Sequence, residues 1–150
     1  MADTQLRMAI REFSDFEDAL AEQASLYRKL HPQVSVEIVP LDLNSLRAEM
    51  FEKEGLRSGS WDIGFLVTDW LSEAIQDGLL EELTPRLRRN PIPDWPQGWA
   101  RSIVEPLYFG DKLYSLPWHD GPECLIYRRD LFENPAEQAE FRNRYGYELK

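Results

Sequence analysis

The residue types able to do chemistry gather at three places: Ser14 with Asp15; Thr68, Asp69 and Trp70; and Trp118, His119 and Asp120. Carboxylates accept hydrogen bonds, hydroxyls both give and accept them, and an indole offers an apolar face. That inventory suits a carbohydrate, whose hydroxyls meet the acids while its C–H face lies on an aromatic ring. A micromolar ligand needs about 8 kcal/mol. Several hydrogen bonds of roughly 1–3 kcal/mol each, plus one stacked ring, can reach that sum. Structural roles compete with several of these assignments. Ser14 suits a helix cap, Asp69 suits a cap, Trp70 can pack on a sheet, and His119 can hydrogen-bond within the chain.

The elements that must position these groups alternate strand and helix. Leu6–Phe13 reads as a first strand, and Ser14 opens a capping box with Glu17. Phe16, Leu20, Ala24, Tyr27 and Leu30 then form the stripe of a helix that His31-Pro32 ends. Val34–Leu41 alternates as a second strand. Asp42 or Asn44 caps a second helix built on Leu43, Leu46, Met50 and Phe51, which stops near Gly55. Ile63, Phe65, Leu66 and Val67 make a nearly continuous apolar run, as in a strand covered on both faces. Thr68 or Asp69 caps the helix after it, and Gly78 suits the left-handed position past its end. Such alternation implies right-handed βαβ units and a parallel sheet, with ligands beyond the carboxyl ends of the strands. Both Ser14-Asp15 and Thr68-Asp69-Trp70 fall there. Trp61, at the opposite end of its strand, is expected to pack.

Beyond Thr84 the prolines at 85, 91, 93, 96 and 106 break the pattern into short turns, with Trp95 and Trp99 as packing anchors. Gly110-Asp111 turns the chain into Leu113–His119, and Cys124–Phe132 reads as extended. Asn134-Pro135-Ala136-Glu137 opens a final helix that ends at Gly146.

A chain of 150 residues suits one ordinary domain, burying about 68–70% of its unfolded surface. Its formal net charge of −10 argues against a nucleic-acid partner, since phosphate binding needs a basic face. The clusters Arg86, Arg88, Arg89 and Arg128, Arg129 read as solvated surface. The single cysteine, Cys124, excludes an internal disulfide framework and a multi-thiolate metal site. No apolar run approaches the ~20 residues of a membrane span. The start MADTQLRMAI lacks a secretion signal, so the chain is either cytoplasmic or carries a Met in place of a removed leader.

In order and spacing the motifs resemble the family 1 extracellular solute-binding proteins of bacterial ABC importers, the maltose-binding class. The marks are the first strand and helix, Trp61-Asp62-Ile63 leading to Asp69-Trp70, and Asp77-Gly78-Leu79-Leu80 with Leu83-Thr84-Pro85. Gly110-Asp111-Lys112-Leu113-Tyr114-Ser115-Leu116-Pro117-Trp118 follows, then Leu125-Ile126-Tyr127-Arg128-Arg129-Asp130-Leu131-Phe132. The resemblance implies an α/β fold of the type II periplasmic-binding-protein kind, a mostly parallel sheet flanked by helices within a two-lobed clamp. It implies an amino-terminal lobe over 1–112, a hinge crossing over 113–122 and the start of a second lobe over 123–150. The chain thus resembles a truncated form of that architecture, without the strand that later sequence returns to the first lobe's sheet.

The function implied is capture of a sugar or related polar solute for ABC permease subunits, in the periplasm, without covalent chemistry, cofactor, metal or membrane insertion. The ligand-binding set is Ser14, Asp15, Asp69, Trp70, Trp118, His119 and Asp120. Alternatives remain. A His119–Cys124 dyad is disfavoured because five extended residues span roughly 16 Å. Paired-carboxylate hydrolysis by Asp69 and Asp120 is geometrically conceivable. A cytoplasmic ligand-sensing or interaction module is the other reading. His31 and His119 lie on unrelated segments, which disfavours a metal site, and no glycine-rich phosphate loop is present.

Overall fold

A computed structural model describes residues 4–119, 121 and 125–149, which divide into two compact units, the first ending at Pro117 and the second beginning at Trp118. The first unit is built on a parallel sheet of β1 (Thr4–Arg11), β2 (Val34–Leu41) and β3 (Ile63–Gly64), in the order β2-β1-β3. β1 and β2 pair in register from Thr4 with Val34 to Arg11 with Leu41. β3 pairs through Met8 with Ile63 and Ala9 with Gly64. The third strand is therefore shorter than its apolar run predicts. Past Gly64 one more bond, from Phe65 N–H to Ala9 O at 2.9 Å, continues the pairing before the chain turns into a helix.

The helices are α1 (Ser14–Leu30), α2 (Leu43–Arg47, continued by a wider turn over Ala48–Glu52), α3 (Gly55–Ser58) and α4 (Thr68–Gln76). The chain leaves β1 for β2 on one side and returns to β3 on the other. Right-handed crossovers in opposite directions place α1 and α2 on opposite faces of the sheet. On the α2 face, Ala9, Leu46, Met50 and Trp61 form the buried core, with Val39, Phe51, Phe65 and Trp70 packed against it. Trp61 packs there as expected, 7% exposed. Glycine at 64 follows from this packing, since a Cβ there would run into the Met50 side chain.

Of the α1 stripe, Leu20 is buried and Phe16 and Ala24 half-buried, whereas Tyr27 and Leu30 are exposed. A second core joins Leu71, Leu107 and Leu113, with Trp95 and Leu83 against it, so the anchoring role expected of Trp95 is met, while Trp99 meets the Trp95 ring at 6.3 Å and stays 41% exposed. Around it lie α5 (Thr84–Arg89), α6 (Arg101–Val104) and a hairpin of β4 (Tyr108–Phe109) with β5 (Lys112–Leu113), turned at Gly110. Arg86 is paired with Glu81 at the surface.

The second unit carries α7 (Arg129–Phe132) and α8 (Pro135–Tyr145). The extended reading of Cys124–Phe132 is corrected over Arg129–Phe132, where a helical turn forms and Arg128 and Arg129 pair with Asp130 and Glu133. The Arg129–Glu133 pair is spaced i,i+4, which favours a helical turn over extension. Asn134 caps α8 by accepting from Ala136 N–H, and Gly146 ends it at φ +80°, both as the sequence implies.

Candidate functional site

In an open α/β sheet the ligand crevice opens at the carboxyl end, between the two strands where the connections change direction. With the order β2-β1-β3, those strands are β1 and β3. The β1–α1 corner carries Phe13, Ser14 and Asp15; the β3–α4 corner carries Thr68, Asp69 and Trp70. An aromatic contact shows how near they are: Phe16, in the first turn of α1, meets Phe65, just past β3, with ring centroids 6.2 Å apart. Ser14, Asp15, Thr68 and Asp69 are all exposed.

Neither corner is capped as expected. The N-cap of α1 is Phe13, in extended conformation, and that of α4 is Val67; no side chain caps either helix. Ser14, Thr68 and Asp69 already belong to the first turn, so the capping box of Ser14 with Glu17 does not form. Ser14 instead directs its hydroxyl toward the Asp15 carboxylate at 3.5 Å. The first N–H groups of a helix have no intrahelical partner, and they carry partial positive charge. At the third corner, between β2 and α2, the chain supplies its own cap. Asp42 accepts from the N–H groups of Asn44 at 3.0 Å and Ser45 at 3.1 Å, and from the Ser45 hydroxyl. Those bonds, the hydroxyl's above all, hold the Asp42 carboxyl below the ordinary aspartate range.

Trp70 is half-buried. Its ring meets Phe51 edge-on at 6.0 Å and 83°. The Arg47 guanidinium lies 4.7 Å from the Phe51 centroid and 5.5 Å from that of Trp70. Arg47 also grips Glu73 in a two-pronged bond at 2.9 and 3.0 Å. Trp70 thus takes part in tying α2 to α4, a role that spacing alone did not reveal. Phe13, an exposed aromatic at the N-cap of α1, was not singled out by sequence reasoning. Its signal was an aromatic residue standing where Ser, Thr, Asp or Asn is preferred.

Trp118 and His119 open the second unit, the indole half-buried and the imidazole exposed. Asp120 and Cys124 lie outside the described residues. Among the described residues, no group of three or more His, Cys, Asp or Glu could hold a metal ion. No helix among them is long and apolar enough to cross a membrane.

Residues 10–147 match the family of bacterial extracellular solute-binding proteins, and the chain belongs to that family. No curated protein matches it. Among solved structures, it is similar to CpMnBP1 with mannotriose bound, at 17% identity and a TM-score of 0.62 over 76% of this chain and 28% of that one. It is also similar to an ABC transporter solute-binding protein from Agrobacterium radiobacter K84 in complex with ribitol, at 16% identity and a TM-score of 0.61 over 75% of this chain and 28% of that one. The chain therefore spans about 28% of the length of these structures. At such identity they show the fold, which is that of the periplasmic binding proteins: a parallel sheet flanked by helices. The family is one of solute binding, which points away from catalysis.

Proposed function

We propose that this chain takes part in capturing a sugar or polyol outside the cytoplasm for an ABC importer, binding it at the carboxyl end of the β1–β3 pair. The observation that carries the proposal is the strand order β2-β1-β3. It sets the Asp15 and Asp69 corners side by side at the switch point of the sheet. Family membership supports solute binding. The two similar structures, holding a mannotriose and a ribitol, support a polyhydroxylated ligand.

In this reading Asp15, Asp69, His119 and Asp120 hydrogen-bond the solute, and Ser14 lines the site. Trp118 stacks on the solute, and Trp70 is a second aromatic of the binding set, at the β3–α4 corner. Residues 113–122 form the crossing between an amino-terminal lobe, 1–112, and a second lobe beginning at 123. Closing the lobes would desolvate the hydrogen bonds and strengthen them. Catalysis is no part of it.

Calorimetric titration of the full-length protein with mannotriose and with ribitol tests this. Saturable binding of either, with the ligand recovered intact, is expected. Cleavage of mannotriose would contradict the non-catalytic reading, and failure to bind any of a broad panel of sugars and polyols would contradict the whole.

A further inference from the structure

We infer that Phe13 is a stacking platform of this site, giving it a preference for ring-form saccharides over acyclic polyols; the inference rests on the binding reading above. Two aromatic side chains stand at the inner corners, and their surroundings differ. Trp70 is engaged by Phe51, Arg47 and the α2–α4 tie. Phe13 is 48% exposed, so that part of its apolar ring is open to a ligand.

The ring nevertheless has a defined support. It stands edge-to-face on Phe16, with centroids 4.9 Å apart and planes at 82°. Phe16 meets Phe65 at 6.2 Å, and the Phe65 N–H is bonded to Ala9 O in the central strand at 2.9 Å. Three rings thus run from the sheet to the surface across the two inner corners, and the outermost keeps area for a ligand. Edge-to-face support is one of the preferred aromatic arrangements.

What such a surface recognises follows from its neighbours. Ser14 and Asp15 come next in the chain, so an apolar face and hydrogen-bonding groups adjoin. A ligand must then present C–H groups on one side and hydroxyls on the rim. A pyranose ring does so permanently. A linear polyol must freeze several rotors to hold a comparable face, at an entropic cost.

The test uses the full-length protein, with mannotriose and ribitol as probes. Phe13→Leu keeps apolar bulk without a π face, and Phe13→Tyr keeps the ring. Phe13→Leu is expected to weaken mannotriose binding roughly tenfold, equivalent to about 1.4 kcal/mol, with ribitol binding little changed. Phe13→Tyr is expected to retain the affinity for mannotriose. Circular dichroism confirms that each variant folds. The inference is overturned if Phe13→Leu leaves mannotriose affinity intact, if it weakens both probes equally, if Phe13→Tyr behaves like Phe13→Leu, or if the wild type prefers ribitol. These outcomes concern Phe13 alone. Wild-type protein that binds no sugar or polyol contradicts the binding reading beneath it.

Discussion

The outer β2–α2 corner and the inner pair at β1–α1 and β3–α4 solve one problem in opposite ways. At the outer corner the chain closes its own helix start: Asp42 takes two backbone N–H groups and a hydroxyl. At the inner corners no side chain caps the helix, and exposed Asp15 and Asp69 stand in the first turns. Self-capping satisfies the local backbone at the expense of its availability. Lacking a side-chain cap is not peculiar to the inner corners, since α3, α5, α6 and α7 lack one too; what sets the inner pair apart is the strand order that brings them side by side.

The comparison can be broken at several points. All three corners rest on shared packing, and the largest effect is expected there. Met50, fully buried against Ala9, Leu46 and Trp61, should lose about 2–5 kcal/mol of stability as Met50→Ala, measured by denaturant unfolding. An inner corner should behave differently. Asp69→Asn should weaken solute binding by roughly 1.5–3 kcal/mol, the weight of a charged hydrogen bond, with little change in unfolding midpoint. A loss of stability without loss of affinity would make Asp69 a structural residue.

Supplying an inner corner with its own cap sharpens the contrast. Phe13→Asp gains a cap of roughly 0.5–2 kcal/mol and loses an aromatic contact of about 0.5–1.5 kcal/mol. Stability should thus stay within about 1 kcal/mol of the wild type while solute affinity falls. The smallest effect belongs to the outer corner. Its Asp42 carboxyl is depressed in the folded state, chiefly by the Ser45 hydroxyl. The cap's contribution is then complete above the unfolded aspartate value and disappears as pH falls through the folded one. Asp42→Ala should accordingly flatten the acid limb of a stability–pH profile and leave solute affinity alone.

Much of this arrangement was legible in the residues. β2 spans the segment its alternation marks, α1 ends at Leu30 with His31 as its C-cap before Pro32, and Gly78 and Gly146 take left-handed conformations past their helices. Period and backbone chemistry are local, so spacing exposes them. The caps were less legible. Ser14, Thr68 and Asp69 have capping side chains yet sit one or two places inside their helices, because the strand exits place Phe13 and Val67 at the boundary instead. The Arg47 tie could not be read at all, since it links side chains 26 positions apart. The apolar run after Asp62 gave the third strand's place but not its length, because chain beyond Phe65 turns into α4.

The most direct measurement is an amide-resolved NMR titration of the full-length protein with mannotriose. The account predicts saturable shifts at Ser14, Asp15, Thr68 and Asp69, with Asn44 and Ser45 unmoved behind the Asp42 cap. Shifts that leave the two inner corners silent, while binding proceeds elsewhere, would contradict it.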